Sequence, residues 1–249
     1  AIGITMRLSR VYLDGPLALN ALISLPKEIA HYLSNVLRLR VNDELLVFNS
    51  QQGEFRARIT WAAKQTVDIE LIEKMRGAHD AAKKATLSIH LILGLSRGDR
   101  MDFAVQKSTE LGVNEITPIY TEYGEVRLKP EREEKKLQHW QKIAISACEQ
   151  SGSVDVPVIH KPISVMELSL GETVNKWMLE PSGTDALPHC IAENNCVLLV
   201  GPEGGFSANE IHWAQGNDFQ IVALGSRILR TETAPVAALA ILQHKYGDM

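Results

Sequence analysis

The 249-residue chain has only three cysteines, Cys148, Cys190 and Cys196, and none of them forms a Cys-x-x-Cys pair. An odd number of cysteines without paired spacing argues against a disulfide framework and against a zinc knuckle. A metal set built from His189, Cys190 and Cys196 is a minor alternative. We expect free thiols that are buried or partly buried, and no bound metal.

Long apolar runs are also absent from the sequence. No run approaches the roughly 20 apolar residues that a membrane-spanning helix needs, and the N-terminus carries no secretory signal. We therefore expect a cytoplasmic protein. Met6 has the features of a native start, so residues 1–5 are expected to be a remnant of expression.

The chain lacks the excess of positive charge that many nucleic-acid-binding proteins carry, since its net charge is −4. The charges are unevenly placed. Residues 1–73 contain 8 basic residues (Lys and Arg) and 8 acidic residues (Asp and Glu). Residues 74–149 contain 13 basic and 11 acidic residues, and residues 150–249 contain 5 basic and 11 acidic residues. A polyanion would therefore be held by the first two thirds of the chain.

The standard phosphate-binding motifs are missing as well, because neither Gly-x-x-x-x-Gly-Lys-Ser/Thr nor Gly-x-Gly-x-x-Gly occurs. A different glycine loop is present. The apolar run 197–200 predicts a buried strand, and Gly201-Pro202-Glu203-Gly204-Gly205 ends it abruptly. Ser207 and Glu210 form a capping-box pattern that predicts a helix start directly after this loop.

A second loop of this kind follows the apolar run 219–224. It begins with Gly225 and continues to Pro235. Glycine permits close approach of a ligand to backbone N–H and C=O groups, so two such loops after two strands predict a ligand-binding cleft. A simple tight turn is the alternative for each glycine taken singly. We expect Gly201, Gly204 and Gly225 to approach the ligand closely, and Leu224, Ile228 and Leu229 to enclose its apolar part.

The N-terminal part alternates short apolar runs with turns, which predicts a small β-barrel. Strands are predicted at 10–13, 45–48, 55–59 and 67–72. A helix near Pro26 interrupts them and carries Ile29, Leu33, Val36 and Leu37 on one face.

Several polar side chains lie off that apolar face or near it in sequence, namely Arg7, Arg10, His31, Arg38 and Arg40. Two interpretations remain open for them. They are either an ordinary solvated surface or a patch that binds phosphate groups.

The remainder of the chain alternates strands with helices, which predicts an α/β domain with a parallel sheet. A polar, alanine-rich stretch at 74–85 predicts an interdomain linker, giving domains at 6–73 and 86–249. Strands are predicted at 87–93, 115–119, 176–179, 197–200 and 219–224, and helices at 99–111, at 131–150, after Ser207 and after Pro235.

The two loops, GPEGGFS at 201–207 and LGSRILRTETAPVAAL at 224–239, resemble the ribosomal small subunit methyltransferase E family of the SPOUT superfamily. The segments HYLSNVLRLR, KSTELGV and EQSG support the same resemblance, which spans nearly the whole chain. Two positions depart from the family pattern: Asn42 stands where glycine is common, and Ser153 stands where an arginine is usual.

The resemblance implies an N-terminal PUA-like RNA-binding β-barrel and a C-terminal SPOUT domain with a deep trefoil knot. It implies S-adenosylmethionine as cofactor, a homodimer, and methylation of N3 of a uridine in 16S rRNA of the small ribosomal subunit. It also implies that residues 179–181 form a third wall of the cleft. The cofactor-binding set is therefore Leu179, Glu180, Gly201, Pro202, Gly204, Leu224, Gly225, Ile228, Leu229, Arg230 and Thr233.

For this reaction, Arg230 and Glu232 are the expected catalytic residues. The N3 proton of uracil must be removed or the resulting anion stabilised, which a guanidinium group and a carboxylate can do. The alternative is that Arg230 and Glu232 pair and merely hold their loop. Gln150 and Ser151 match the family and are candidate substrate contacts.

Two other functions remain open from the sequence. The first is a non-catalytic RNA-binding or ribosome-assembly factor, although such a protein has no need for two ligand loops. The second is a SPOUT methyltransferase with a different RNA target.

Overall fold

The computed structural model describes residues 8–63, 65–78, 87–171, 175–188 and 190–249. It divides into two compact units. The first contains the described residues before position 83 together with Cys148–Asp155, and the second contains the remainder. Within the described residues, no helix has both the length and the apolar character required to cross a lipid bilayer.

The first unit is built on a five-stranded sheet. Its strands are β1 (Arg10–Tyr12), β2 (Leu22–Ser24), β3 (Glu44–Asn49), β4 (Gly53–Ala63) and β5 (Thr66–Arg76), in the order β1-β3-β4-β5-β2. Only β1 and β3 pair in parallel, and the other pairs are antiparallel. Helix α1 (Lys27–His31) continues as a π-helical turn, Tyr32–Val36, and buries Ala30 and Leu33 in the core of this unit.

The predicted strands of this unit are present, and the structure adds β2, which the sequence did not indicate. Strand β5 also continues three residues into the stretch predicted as a linker, because Arg76 still pairs with Glu54 across the sheet. Positions 79–85 of that stretch lie outside the described residues. Asn42 has a φ of 75°, a conformation that glycine and asparagine tolerate better than most residues.

The second unit is an α/β fold with a parallel sheet. Its elements are β6 (Ser88–Gly94), α2 (Asp99–Glu110), β7 (Glu115–Tyr120), α3 (Pro130–Ser151), β8 (Val158–Ile159), β9 (Ile163–Ser164), β10 (Asn175–Leu179), β11 (Asn195–Val200), α4 (Ala208–Gly216), β12 (Gln220–Val222) and α5 (Thr233–Tyr246). The last residues of α3 belong to the first unit. The strand order is β12-β10-β11-β6-β7-β8, and β9 also pairs with β7.

The two faces of this sheet have separate cores because side chains alternate along each strand. Leu91, Leu198 and Trp177 point to the face covered by α2, α3 and α5. Ile92 and Leu199, one residue further along their strands, point to the face covered by α4. The predicted parallel sheet with helices on its faces is confirmed. The two-residue strands β8 and β9 were not predicted.

A buried ion pair organises the first unit. Arg10 Nε lies 2.7 Å from Glu54 Oε2, and both side chains are less than a tenth exposed. Glu54 also accepts hydrogen bonds from Arg76. The Arg10 guanidinium group donates to the carbonyl groups of Cys148, Glu149 and Ser153 as well. Segment Cys148–Asp155 is thereby bound to the sheet of this unit.

We expect Glu54→Gln to lower the free energy of unfolding by about 3–5 kcal/mol, because it leaves the buried Arg10 without its counter-charge. Glu44→Gln is the matched control, since Glu44 likewise contacts two arginines, Arg56 and Arg58, but at a partly exposed position. Its loss should stay below about 1 kcal/mol. Urea denaturation of both variants measures the difference, and equal losses would contradict the role given to the Arg10–Glu54 pair.

Candidate functional site

The carboxyl ends of three parallel strands meet at one cleft of the second unit. Leu179 is the register partner of Val200 in β11 and of Val222 in β12, so the three strands end side by side. The loops that follow these strands line the cleft. This edge of an open parallel sheet is where α/β proteins bind ligands.

Eight of the predicted cofactor-binding residues line this cleft: Leu179, Glu180, Gly201, Pro202, Leu224, Gly225, Ile228 and Leu229. The other three, Gly204, Arg230 and Thr233, do not line it. Sequence reasoning did not select several further residues of the lining: Glu203, Gly205, Phe206, Arg227, Thr231 and Ala234. Each of these lies within two residues of a selected one, so a wider window around the motifs would have found them.

Gly204 does not line the cleft, and its lack of a side chain serves packing within the chain. A Cβ atom built at this position would lie 2.5 Å from the carbonyl oxygen of Tyr123. The glycine is therefore needed for the loop to pack against the backbone after β7. A contact between its backbone and a ligand stays a prediction.

Gly225 has the properties expected of a ligand-facing glycine. Its φ is 82°, in the left-handed region that side chains other than glycine disfavour. No atom lies within 4 Å of a Cβ built at this position, and the residue lines the cleft. Its backbone groups are therefore accessible to a ligand.

The predicted capping box holds the loop 201–206 in place. Ser207 N donates to Glu210 Oε2 at 2.8 Å, and Glu210 N donates to Ser207 Oγ at 3.3 Å. The second oxygen of the buried Glu210 accepts a hydrogen bond from Glu122 N at 2.8 Å. One carboxylate thus binds the start of α4 and the segment after β7 together, which fixes the position of the glycine loop between them.

Arg230 and Glu232 do not pair within the described part of the chain. The carbonyl group of Arg230 accepts from the N–H groups of Thr233 and Ala234 at the start of α5, while its side chain is exposed. Glu232 has a buried oxygen, Oε2, without a hydrogen-bond partner. The ion pair in this region joins instead Arg100 to Glu203, at 2.7 Å. The exposed side chain of Arg230 is therefore available to a substrate, whereas the unpartnered oxygen of Glu232 is buried. Arg100 is a residue that the sequence did not suggest.

The predicted RNA-binding residues have different environments. Arg7 lies outside the described residues. Arg10 is buried in its pair with Glu54, which corrects the expectation that it contacts phosphate.

The remaining five candidates of this set, His31, Arg38, Arg40, Gln150 and Ser151, are exposed. Nδ1 of His31 lies 2.9 Å from Asn35 Nδ2. Arg38 has a φ of 57° at the end of the π-helical turn. The exposed Tyr32 begins that turn, so an aromatic ring and two arginines occur on one short segment.

The thiols agree in part with the expectation. Cys148 and Cys196 are buried, and burial is the main cause that raises the pKa of each to about 12. Cys190 is exposed. The two buried thiols stay protonated at neutral pH and are unsuited to act as nucleophiles.

A further group of chemically active residues was missed by sequence reasoning. His90, Glu115 and His160 each place one potential ligand atom within 4.8 Å of the others. These residues are 25 and 45 positions apart, so no local motif joins them. Burial lowers the pKa of His90, although Glu115 acts in the opposite direction.

Comparison with known proteins gives a consistent result. Residues 83–243 match the model of an RNA methyltransferase domain, and residues 25–72 match that of an RNA methyltransferase PUA domain. The ribosomal RNA small subunit methyltransferase E of Buchnera aphidicola subsp. Schizaphis graminum is 38% identical over 98% of both chains. Its Bacillus subtilis counterpart is 28% identical over 89% of this chain and 90% of its own.

Two solved structures are similar over almost the whole chain. A crystal structure of ribosomal RNA small subunit methyltransferase E from Neisseria gonorrhoeae, bound to S-adenosyl methionine, has a TM-score of 0.88 and 38% identity. It covers 98% of this chain and 100% of its own. A methyltransferase from Legionella pneumophila, in complex with the bound cofactor SAM, has a TM-score of 0.86, 33% identity and the same coverage.

Proposed function

Since the chain belongs to the ribosomal RNA small subunit methyltransferase E family, we propose that it transfers a methyl group from S-adenosylmethionine to N3 of a uridine in 16S rRNA. S-adenosylmethionine-dependent methylation of small-subunit rRNA follows from family membership. The choice of N3 of uridine rests on the motifs GPEGGFS and LGSRILRTETAPVAAL. The observation that carries the proposal is the cleft at the ends of β10, β11 and β12.

The cleft fits S-adenosylmethionine chemically. Leu224, Ile228 and Leu229 offer apolar surface for the adenine, and the backbone of Gly225 is open for hydrogen bonds to its edge. The ligand also has a zwitterionic tail and a cationic sulfonium group. Glu180, Glu203 and Arg227 line the cleft and supply charges of both signs for these groups.

The remaining predicted contacts are kept as proposals. Leu179, Gly201 and Pro202 line the cleft and would enclose the ligand. Arg230 and Thr233 lie at the start of α5, directly beside lining residues. Gly204 is kept as a proposed backbone contact, although Tyr123 alone explains why a glycine stands there.

When bound, S-adenosylmethionine supplies an electrophilic methyl group. The chain's own task is to prepare N3 of the uracil, whose proton must leave because the lone pair of N3 is otherwise delocalised. We assign Arg230 to stabilise the negative charge that develops on the uracil carbonyl oxygens. We assign Glu232, which follows Arg230 by two residues on the same loop, to accept the N3 proton.

Further parts of the proposal rest on the family resemblance. They are a barrel-like closure of the first unit, a deep trefoil knot formed by the C-terminal loops, and a homodimer. Domain bounds of 6–73 and 86–249 are retained as a proposal. A cytoplasmic location follows from the proposed substrate, because small ribosomal subunits are assembled and act there.

Ile228→Ala should weaken S-adenosylmethionine binding roughly tenfold, since burying an isoleucine side chain contributes about 1.5–3 kcal/mol and 1.4 kcal/mol corresponds to a factor of ten. The melting temperature should not change, because Ile228 is 83% exposed in the ligand-free protein. Leu22→Ala, at a position 74% exposed in the first unit, is the control. Calorimetric titration measures both, and unchanged affinity in Ile228→Ala would exclude this loop as a cofactor wall.

Arg38→Gly should remove one phosphate contact and reduce the slope of log K against log salt by roughly 0.7–0.9. Glycine suits the φ of 57° at this position, so the fold should be retained. Arg38→Lys preserves the charge and should keep the slope. Arg58→Ala, which removes an arginine paired with Glu44, is a second control. Binding of rRNA fragments at several salt concentrations tests this, and an unchanged slope in Arg38→Gly would assign Arg38 to structure.

Arg230→Ala should lower kcat by roughly 100-fold, as the loss of one charge-stabilising donor typically does, and change S-adenosylmethionine affinity much less. Arg132→Ala, an exposed arginine on α3, should match the wild type. The assay uses small ribosomal subunits from cells lacking the gene and identifies the methylated nucleoside by mass spectrometry. Methyl found on a ribose 2′-hydroxyl would refute the proposed chemistry.

The same assay tests the substrate. N3 lies on the Watson–Crick edge, so the uridine must be unpaired or extruded, at a cost of a few kcal/mol, before it can react. Structured rRNA in a subunit displays the base and adds phosphate contacts, so it should react much faster than a short oligonucleotide. Equal rates on the two would contradict the requirement for a structured substrate.

A further inference from the structure

His90, Glu115 and His160 form a compact cluster in the second unit, outside the cleft described above. One potential ligand atom of each residue lies within 4.8 Å of those of the other two. His160 Nε2 is 2.7 Å from Glu115 Oε2, and the rings of His90 and His160 have centroids 5.7 Å apart. We propose that this cluster binds a divalent transition-metal ion of the zinc class.

The backbone of the sheet fixes the three positions. His90 in β6 is the register partner of Glu115 in β7, and Glu115 is the partner of Val158 in β8. His160 N donates to the carbonyl group of Ile116 at 2.9 Å. Because all three positions are held by hydrogen bonds between strands, little backbone order has to be created when an ion binds.

The donor set selects the class of ion. Two imidazole groups and one carboxylate are ligands that zinc uses when it keeps an open coordination position. Mg²⁺ and Ca²⁺ prefer oxygen ligands and are disfavoured by two imidazoles. Glu167 and Lys161 border the same depression, where the carboxylate favours a cation and the ammonium group opposes one.

The present distances are compatible with closure around an ion. Zinc bonds of about 2.0–2.2 Å in tetrahedral geometry separate neighbouring ligand atoms by about 3.3–3.6 Å. The observed separations, from 2.7 Å to at most 4.8 Å, bracket that value. In the metal-free protein, a proton joins Glu115 to His160, and a metal ion would take its place between the same two atoms.

The surroundings contain an orienting group of the kind that metal sites use. Thr117 Oγ1 lies 2.8 Å from His90 Nε2, so His90 would bind the ion through Nδ1 while Thr117 holds the ring. Partners of this kind hold ligating histidines in place, and their loss commonly weakens metal binding by about 10- to 100-fold.

The site would act on stability rather than on methyl transfer. His90 lies four residues before Gly94, at the opposite end of β6 from the cleft, which is about 13 Å along a strand. An ion at this position would join β6, β7 and the residue after β8. A ligand that binds only the folded state stabilises it by RT ln(1 + L/Kd), where L is the free ligand concentration.

The test uses the full chain without a histidine tag, stripped with EDTA and titrated with ZnCl₂ against a chromogenic chelator. We expect one zinc ion per chain at this site. At 100-fold excess over Kd, the melting temperature should rise by about 5–10 °C. His90→Ala, Glu115→Gln and His160→Ala should each weaken binding by at least about 100-fold, because the loss of an outer partner alone costs 10- to 100-fold.

The matched control is His139→Ala. His139 Nε2 lies 2.7 Å from Asp102 Oδ2 at a similarly exposed position, but no third ligand is near in the described part of the chain. Zinc affinity in this variant should equal that of the wild type. Failure of the wild type to bind zinc would overturn the proposal, as would retained affinity in the three cluster variants or equal loss in His139→Ala.

Two measurements show whether a variant loses zinc because it misfolds and not because a ligand is missing. Melting curves in EDTA should show that Glu115→Gln and His160→Ala fold like the wild type, since both side chains are more than 40% exposed. Affinity for S-adenosylmethionine should stay unchanged in all variants. The metal site and the proposed methyltransferase function are therefore tested independently of each other.

Discussion

The second unit depends on the in-register parallel pairing of β12, β10, β11 and β6. Because Leu179 aligns with Val200 and Val222, and Val200 aligns with Leu93, the carboxyl ends of the strands coincide. A shift of one residue would exchange the two buried faces, so the apolar side chains on both faces strongly oppose any change of register. The position of the cleft is thus a consequence of core packing. Packing aligns the strand ends, and the loops that line the cleft begin at those ends.

Much of this fold could be predicted from local patterns. Strand β11 is buried on both faces and contains the continuous apolar run 196–200, which is the pattern of a parallel strand, and β6, β7 and β10 are mainly buried along their length. Strand β2 and the pair β8 and β9 could not be found in this way. They are two or three residues long and are defined by pairing with distant strands, as when Ile23 pairs with Ile69. The assignment of Cys148–Asp155 to the first unit is also non-local, because it depends on Arg10 donating to carbonyl groups about 140 residues away.

In the candidate site, too, the sequence predicts local features but not contacts between distant residues. The loops were correctly located, since glycine after a buried strand is a local signal. The role of each glycine was not a local property. Gly204 and Gly225 look equivalent in the sequence, yet Gly204 is required by the backbone of Tyr123, while Gly225 faces open space with a left-handed φ. Likewise, Arg10 and Arg38 have the same side chain, but Arg10 is buried against Glu54 and Arg38 is exposed.

The two ends of the sheet offer different chemistry for a physical reason. At the carboxyl ends, chain reversals into α4 and α5 expose backbone groups and apolar side chains, which suit an organic ligand with an adenine and a charged tail. At the amino-terminal half of β6 and β7, the side chains of His90, Glu115 and Thr117 lie on one face of the sheet and stand on hydrogen-bonded backbone. Rigid side chains on adjacent strands favour a small ligand with strict geometric demands, such as a metal ion. One sheet thus carries a ligand cleft where its strands end and a candidate donor set near where β6 and β7 begin.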